Sequence, residues 1–454
     1  MGRAGHPFED ARVKTTPLEA WISEKIGGAC GRLDRLELER NQLSRLRETI
    51  ALARSASPFY KKKLSGLTEK DLREPSDLGF FPFTTDEEIR RSPLQFLCVS
   101  QGEIDRVVTL HTSGTTAESK RVYFTAADRE LTVDFFHRGM AALAGPGDRV
   151  FVLLPWELPG SVGDLLLTGL HRLGALGIGF GPVRDVSAAL GAMARERPSV
   201  LVGIPTQVLA LARCGGGAVS PRTVLLSTDH VPASIVTELE RTWECEVFNH
   251  YGMTEMGFGG GLECGAHCGY HMREADLLFE IVNPQTGRSV EEGETGEIVF
   301  TTLTRQGMPL IRYRTGDLAS FLPGPCPCGT SLKTMAQVRG RIRERFKLPG
   351  GATLSLADLD EVLFGVDDLL DFRATLMREG QSECLEVEAS ILGGSSERIV
   401  SDIREKLCAV KAVGSAVKTG LFQVSVSTVE GPGPCRPGHA KRTLSDRRKR
   451  EQIS

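Results

Sequence analysis

Over residues 17–54, Leu and Ile recur at three- and four-residue steps among charged positions, a period that predicts one or two amphipathic helices. The segment "FPFTTDEEI" then carries a Thr-Thr-Asp start signal, with Glu87 and Glu88 in the first turn of a further helix. From 148 to 250 the pattern alternates. The apolar runs "DRVFVLLP", "PSVLVGIP", "TVLLSTD" and "CEVFNHYG" read as strands, and "DLLLTGLHRLGA" and "ASIVTELERTW" between them have helical spacing. Such alternation predicts a mainly parallel sheet covered on both faces, with ligands beyond the carboxyl ends of its strands. Residues 278–320 change to runs separated by turn residues, as in antiparallel hairpins. From 341 onward helical ("LADLDEVLFGV") and strand ("LEVEASIL", "FQVSVSTV") patterns mix. The expected fold class is α/β: a large N-terminal domain over 1–340 with parallel sheets and a β-rich subdomain, then a small α+β domain over 341–454.

Composition alters this picture little. A chain of 454 residues, 41% apolar and 25% charged, has the make-up of a soluble globular protein of two or three domains. Its formal charge of −3 gives no reason to expect a nucleic-acid or anionic-membrane partner. The locally basic "AKRTLSDRRKRE" reads as a solvated helix end, with nucleic-acid binding the minor alternative. The opening "MGRAGHPFEDARVK" lacks the apolar run of a signal peptide, and His6 stands where a myristoylation motif needs Ser or Thr. The longest apolar stretch, 162–181, is interrupted by Asp164, His171 and Arg172, so it reads as buried α/β structure rather than a membrane span. These features place the protein in the cytoplasm, with a homodimer as the default assembly.

Candidate chemistry begins at "LHTSGTTAESK", residues 110–120, where four hydroxyl side chains surround one glycine and the run closes on Lys120. Exposed backbone amides, hydroxyls and a lysine suit the oxygens of a polyphosphate. Alone, the cluster also fits a surface turn, and it lacks the Walker spacing. Three further segments follow in order: "YGMTEMG" at 251–257, "YRTGD" at 313–317 and "GRIRERFKLPGG" at 340–351.

Together these four segments resemble the ordered core motifs of the adenylate-forming superfamily, which includes acyl-CoA synthetases, luciferases and nonribosomal adenylation domains. The segments "SASPFYKKKL" and "FPFTT" and the short C-terminal domain are similar to the phenylacetate–CoA ligase branch. In that chemistry a carboxylate attacks the α-phosphate of ATP, anion against anion, so charge on the transferring phosphoryl group must be neutralised and both reactants held in line. The resemblance implies that Thr112, Ser113, Gly114, Thr115 and Thr116 cradle the β- and γ-phosphates, with Lys120 a mobile counter-charge. It implies Tyr251 and Gly252 near the adenine, Thr254 on the α-phosphate and Glu255 on Mg²⁺. Asp317 would grip the ribose hydroxyls with the help of Arg341, and Lys347 would contact the nucleotide. Read singly, Tyr251 is also a core aromatic and Asp317 a turn residue.

Several positions depart from the family pattern. Ala117 replaces the glycine that usually ends the hydroxyl loop, and "STD" at 227–229 stands where relatives often carry Gly-Gly-Glu. Arg343 occupies the place of an acidic hinge residue. In the superfamily the C-terminal domain rotates between adenylating and thioester-forming poses and delivers a lysine to the α-phosphate. This chain reads "GHAKR", with His439 at the expected lysine and Lys441 two residues on. Loss of a cation of that kind costs about 10²–10³ in rate. Three readings stay open: His439 protonated by the phosphates, Lys441 brought in by a register change, or adenylation lost.

Eleven cysteines in a chain without an export signal argue against a disulfide framework. Cys264, His267, Cys268 and His271 crowd into "ECGAHCGYH", and Cys326 and Cys328 follow in "PCPCG". Thiolates and imidazoles in two short clusters suit a structural Zn²⁺, the alternative being reduced thiols in loops. The resemblance favours Cys264, His271, Cys326 and Cys328 as ligands, with Cys268 or His267 as alternates to His271.

The resulting expectation is an ATP- and Mg²⁺-dependent, AMP-forming carboxylate–CoA ligase for an aryl, arylacetic or related acid, with coenzyme A entering near Gly350 and Gly351. Two alternatives remain: a nucleotide-binding homologue with weak or lost adenylation, motivated by His439, and an adenylating enzyme with a non-CoA acceptor.

Overall fold

The computed structural model describes residues 14–28, 32–110, 119–380, 382–393, 397–431 and 442–448. At its centre is an eight-stranded sheet. Five neighbouring strands are parallel: Leu176–Gly179, Arg149–Val152, Val200–Gly203, Thr223–Leu226 and Glu246–Tyr251. Alternate side chains of these strands enter two separate cores. Phe151, Leu201, Val224 and Val247 face one, and Val150, Val152, Val202 and Phe248 the other. A strand buried on both faces needs apolar residues at every position, which is why these segments read as unbroken greasy runs.

Beyond Glu246–Tyr251 the sheet turns antiparallel through Gly261–Glu263, Tyr270–Met272 and Thr334–Met335. The 278–320 region is an antiparallel three-stranded sheet of Leu277–Val282, Gly296–Thr302 and Tyr313–Ala319. A hairpin of Ile104–Leu110 and Lys120–Thr125 brackets the hydroxyl-rich loop, whose residues 111–118 lie outside the described residues.

The chain after 341 builds a four-stranded mixed sheet in the order Phe422–Glu430, Ser382–Ile391, Leu369–Glu379, Ser445–Asp446. Its apolar face joins the core of the central sheet's helices, with Phe364, Phe372 and Leu385 in the same cluster as Val208, Leu209 and Ile235. Polar contacts cross the same junction: Arg213 donates to the Phe364 carbonyl at 2.9 Å, and His230 Nε2 lies 3.1 Å from Glu361. Among the described residues, no helix is long and apolar enough to cross a membrane.

Candidate active site

The outermost parallel strand ends at Tyr251, and the chain then turns through Gly252 into the short turn Thr254–Met256. Gly252 is dictated by space, since a Cβ there would sit 2.0 Å from the Phe258 carbonyl oxygen. Two buried arginines hold the turn by its backbone: Arg305 donates to the Glu255 carbonyl and Arg273 to that of Met256, each at 2.8 Å. Thr254 is half-buried on this turn, and the Glu255 carboxylate is buried beside it.

Three side chains from distant segments meet at Glu255. Lys120 Nζ is ion-paired with both Glu255 and Asp86, and it lies 3.3 Å from the Tyr313 hydroxyl. That hydroxyl is also 3.3 Å from Glu255 and 3.5 Å from Asp86. Asp86 opens the helix Asp86–Arg91, whose start is fixed by a reciprocal Thr85–Glu88 capping box, as "FPFTTDEEI" predicts. Burial resists ionisation of Glu255, but Lys120 outweighs it and holds the carboxyl below its usual range. Burial likewise opposes the charge on Lys120, yet Glu255 and Asp86 raise its affinity for the proton. Lys120, expected as a mobile counter-charge, is held in the free protein. The side chain is almost fully covered and pinned by two carboxylates, because a lysine entering this interior needs compensating charge.

A second cluster forms around Asp317. Tyr251 donates its hydroxyl proton to one carboxylate oxygen at 2.9 Å, and Arg341 Nε donates to the other at 2.9 Å. An isolated β-bridge between Asp317 and Arg341 fixes the two backbones. Tyr251, Asp317 and Arg341 are therefore brought together. Lys347 is not joined to them: it is exposed on the strand Phe346–Lys347, with its carbonyl accepting from Arg448 at 2.7 Å. Thr112, Ser113, Gly114, Thr115, Thr116, His439 and Lys441 lie outside the described residues.

The third cluster is Cys264, His271, Cys326 and Cys328, whose ligand atoms all lie within 4.8 Å of one another. Cys264 Sγ and Cys326 Sγ are 3.7 Å apart, and Cys328 Sγ is 3.5 Å from His271 Nε2. A tetrahedral zinc with sulfur at about 2.3 Å and nitrogen at about 2.0–2.1 Å requires edges of about 3.8 Å and 3.6 Å. All four residues are buried, so the donor set and its spacing fit the ion. The alternates are drawn elsewhere: His267 Nε2 bonds to Glu246 at 3.0 Å, and Cys268 is exposed.

The family model described as AMP-binding enzyme matches residues 44–304, more than half of the chain. Phenylacetate-coenzyme A ligase of Escherichia coli (strain K12) is 30% identical over 389 residues, covering 82% of this chain and 86% of that protein. The chain belongs to the AMP-binding enzyme family. Phenylacetate-coenzyme A ligase of Thermus thermophilus is also 30% identical, over 79% of this chain and 82% of its own length. These matches put the chain on the phenylacetate–CoA ligase-like branch. Among solved structures, 2-hydroxyisobutyryl-CoA ligase in the postadenylation state with 2-HIB-AMP superposes with a TM-score of 0.79 at 21% identity. That superposition covers 98% of this chain and 94% of the other. The same enzyme in the thioesterification state gives a TM-score of 0.65 at 22% identity, over 98% and 94%.

Within this member of the AMP-binding enzyme family, the matched segment contains Lys120, Tyr251 and Glu255 but stops before Asp317, Arg341 and the Cys326–Cys328 pair. Sequence reasoning missed Asp86 and the Tyr313 hydroxyl as members of the Glu255 cluster. Tyr313 stood inside the quoted "YRTGD", whereas Asp86 gave no signal beyond its helix start.

Proposed function

We infer that this chain is an AMP-forming acid–CoA ligase that activates a small aryl or arylacetic acid. A carboxylate oxygen of the acid attacks the α-phosphorus of ATP, an acyl-adenylate forms and pyrophosphate leaves. The thiol of coenzyme A then attacks the acyl carbon, losing its proton to solvent, and AMP leaves with the bonding pair. The observation that carries this reading is the convergence of the Lys120–Glu255 pair and the Tyr251–Asp317–Arg341 trio on segments flanking one strand end.

In that reading Asp317 accepts hydrogen bonds from the ribose hydroxyls while Arg341 keeps it oriented, and Tyr251 with Gly252 backs the base. Gly252 matters because the chain can accommodate no side chain there. Thr254 faces the α-phosphate, and the loop Thr112, Ser113, Gly114, Thr115, Thr116 holds the distal phosphates. Arriving phosphates draw Lys120 away from Glu255, which frees that carboxylate and Asp86 for Mg²⁺. Carboxylate oxygens are the donors this hard cation prefers. Bound there, the ion supplies charge neutralisation to the phosphates. Residues 1–340 serve as the adenylating domain and 341–454 as a rotating cap that brings His439 or Lys441, and Lys347, towards the nucleotide. Zn²⁺ at Cys264, His271, Cys326 and Cys328 is structural, since four protein donors leave no open position. The nucleotide-binding alternative without turnover is not favoured, because relatives matched over most of the chain are ligases.

Acid-dependent exchange of pyrophosphate into ATP, followed by CoA-dependent release of AMP, tests the reading. Glu255→Gln should slow exchange by about 10²–10³. An absence of exchange across a broad panel of aryl and aliphatic acids overturns it.

A further inference from the structure

The turn that carries Glu255 is held by its backbone from three separate segments. Three consecutive carbonyls accept hydrogen bonds from side chains: Arg305 Nη1 donates to Glu255 and Arg273 Nη2 to Met256, each at 2.8 Å, and the Thr132 hydroxyl donates to Gly257 at 2.9 Å. Thr132 lies on the helix Ala126–Met140, Arg273 just past the strand Tyr270–Met272, and Arg305 in the loop between Gly296–Thr302 and Tyr313–Ala319.

Both arginines are buried, and neither forms an ion pair among the described residues. Aromatic faces support them instead. Arg305 lies 4.6 Å from the Phe124 ring centre and Arg273 5.4 Å from that of Phe135. Arg273 Nε and Nη1 are covered and unmet within the described residues. Burial pushes the Arg305 pKa down to about 10, with Asp128 opposing the fall and Arg273 adding to it, so the guanidinium keeps its charge near neutral pH. Unpaired buried charge and bare N–H groups cost stability, so packing does not account for this pair. What the two side chains deliver is the place of two adjacent carbonyls.

Arg305 also couples the turn to Lys120. Asp128, in the first turn of the helix that follows Lys120–Thr125, accepts from the backbone N–H groups of Thr125, Gln306 and Gly307 at 3.0, 2.9 and 3.1 Å. One segment, 120–132, therefore grips Glu255 at both ends: Lys120 at its carboxylate and, through Asp128 and the loop, Arg305 at its carbonyl. In the proposed reaction only the first grip opens. We propose that Arg305, seconded by Arg273 and Thr132, is a positioning residue for adenylation: it keeps the Glu255 backbone fixed while the carboxylate loses Lys120 to the incoming phosphates. The inference rests on the ligase reading above and deepens it, assigning these side chains to the first half-reaction. Pyrophosphate, and with it the charge that draws Lys120, has left before the thiol attacks.

The test separates the two half-reactions in the full chain, using the aryl or arylacetic acid that gives the fastest pyrophosphate exchange and its chemically prepared acyl-adenylate. Arg305→Met should slow exchange by about 10²-fold, the cost of a misplaced reacting group, in kcat rather than in KM for ATP. Thioester formation from supplied acyl-adenylate and CoA should stay close to that of the unaltered protein. Arg305→Lys, which keeps a donor, should recover much of the exchange, and Thr132→Val should slow it only a few-fold. A loss shared equally by both half-reactions, or exchange left intact in Arg305→Met, overturns the inference and leaves the ligase reading standing. If Arg305→Met does not fold, the same two rates in Arg305→Lys and Thr132→Val decide: exchange slowed alone supports the inference, and both slowed or neither overturns it. No exchange with any acid by the unaltered protein removes the ligase reading, and this inference with it.

Discussion

The Glu255 cluster and the Cys264 cluster each gather four buried or half-buried polar side chains, yet they balance their charge in opposite ways. Around Glu255 the chain supplies its own cation: Lys120 sits between Glu255 and Asp86, with the Tyr313 hydroxyl touching all three. Around Cys264 there are three thiols and one imidazole with no cationic side chain among them. The first is complete in the free protein and has to open for the proposed reaction. In the proposed reading the second is completed by an external ion. A cluster that must change partners is built from groups that can exchange one cation for another, and a cluster that must not change is built from soft donors with closed geometry.

Removal of the metal should give the largest effect on stability. Purified protein is expected to hold about one zinc per chain, and stripping it should lower Tm by about 10 °C, since binding energy at such sites is also folding energy. Cys326→Ser should do the same, because Cys326 ties the loop before Thr334–Met335 to the end of Gly261–Glu263. Unchanged Tm after verified metal loss would erase the contrast between the two clusters.

Lys120→Met ranks next. It strips Glu255, 2% exposed, of its paired cation, while Asp86 keeps Arg90 at 2.7 Å, and removing one partner of a buried pair costs about 3–5 kcal/mol. Combining it with Glu255→Gln should cost less than the sum of the single changes, because the second removes the charge stranded by the first. Denaturant unfolding of the four proteins measures this directly. Strict additivity would mean that Lys120 and Glu255 do not share a charge.

These two clusters were unequally legible in the sequence. The four metal-site residues follow from the resemblance, and the cluster spans only the 264–328 stretch. Glu255 and Lys120 were legible as chemistry but not as partners, since Asp86 lies 34 residues before Lys120 and Tyr313 lies 193 after it. No periodicity links such positions; folding does. The fold divides similarly. The five parallel strands announce themselves through runs buried on both faces, whereas Gly261–Glu263, Tyr270–Met272 and Thr334–Met335 have three or two residues each, too few for alternation to register.

The smallest effect is in pH dependence, and its sign separates the clusters once more. Glu255 and Asp86 titrate below their usual range in the folded protein; burial opposes this, but Lys120 prevails, joined at Asp86 by Arg90. A carboxyl with a depressed folded value stabilises fully above its unfolded value, about 4, and that stability is lost as pH falls through the lower folded value. Lys120, raised in the folded state, contributes fully below about 10.4 and loses its contribution as pH climbs through its folded value. Between about pH 5 and 9 the stability gap between the unaltered protein and Lys120→Met should therefore be flat. Towards pH 4 it should narrow, because carboxylates deprived of their lysine regain protons readily and relieve the stranded charge. Unfolding midpoints across that range decide the matter. A gap that stays constant into acid would mean that the defect of Lys120→Met lies in lost packing rather than charge, and the Glu255 cluster would then hold no cation to exchange.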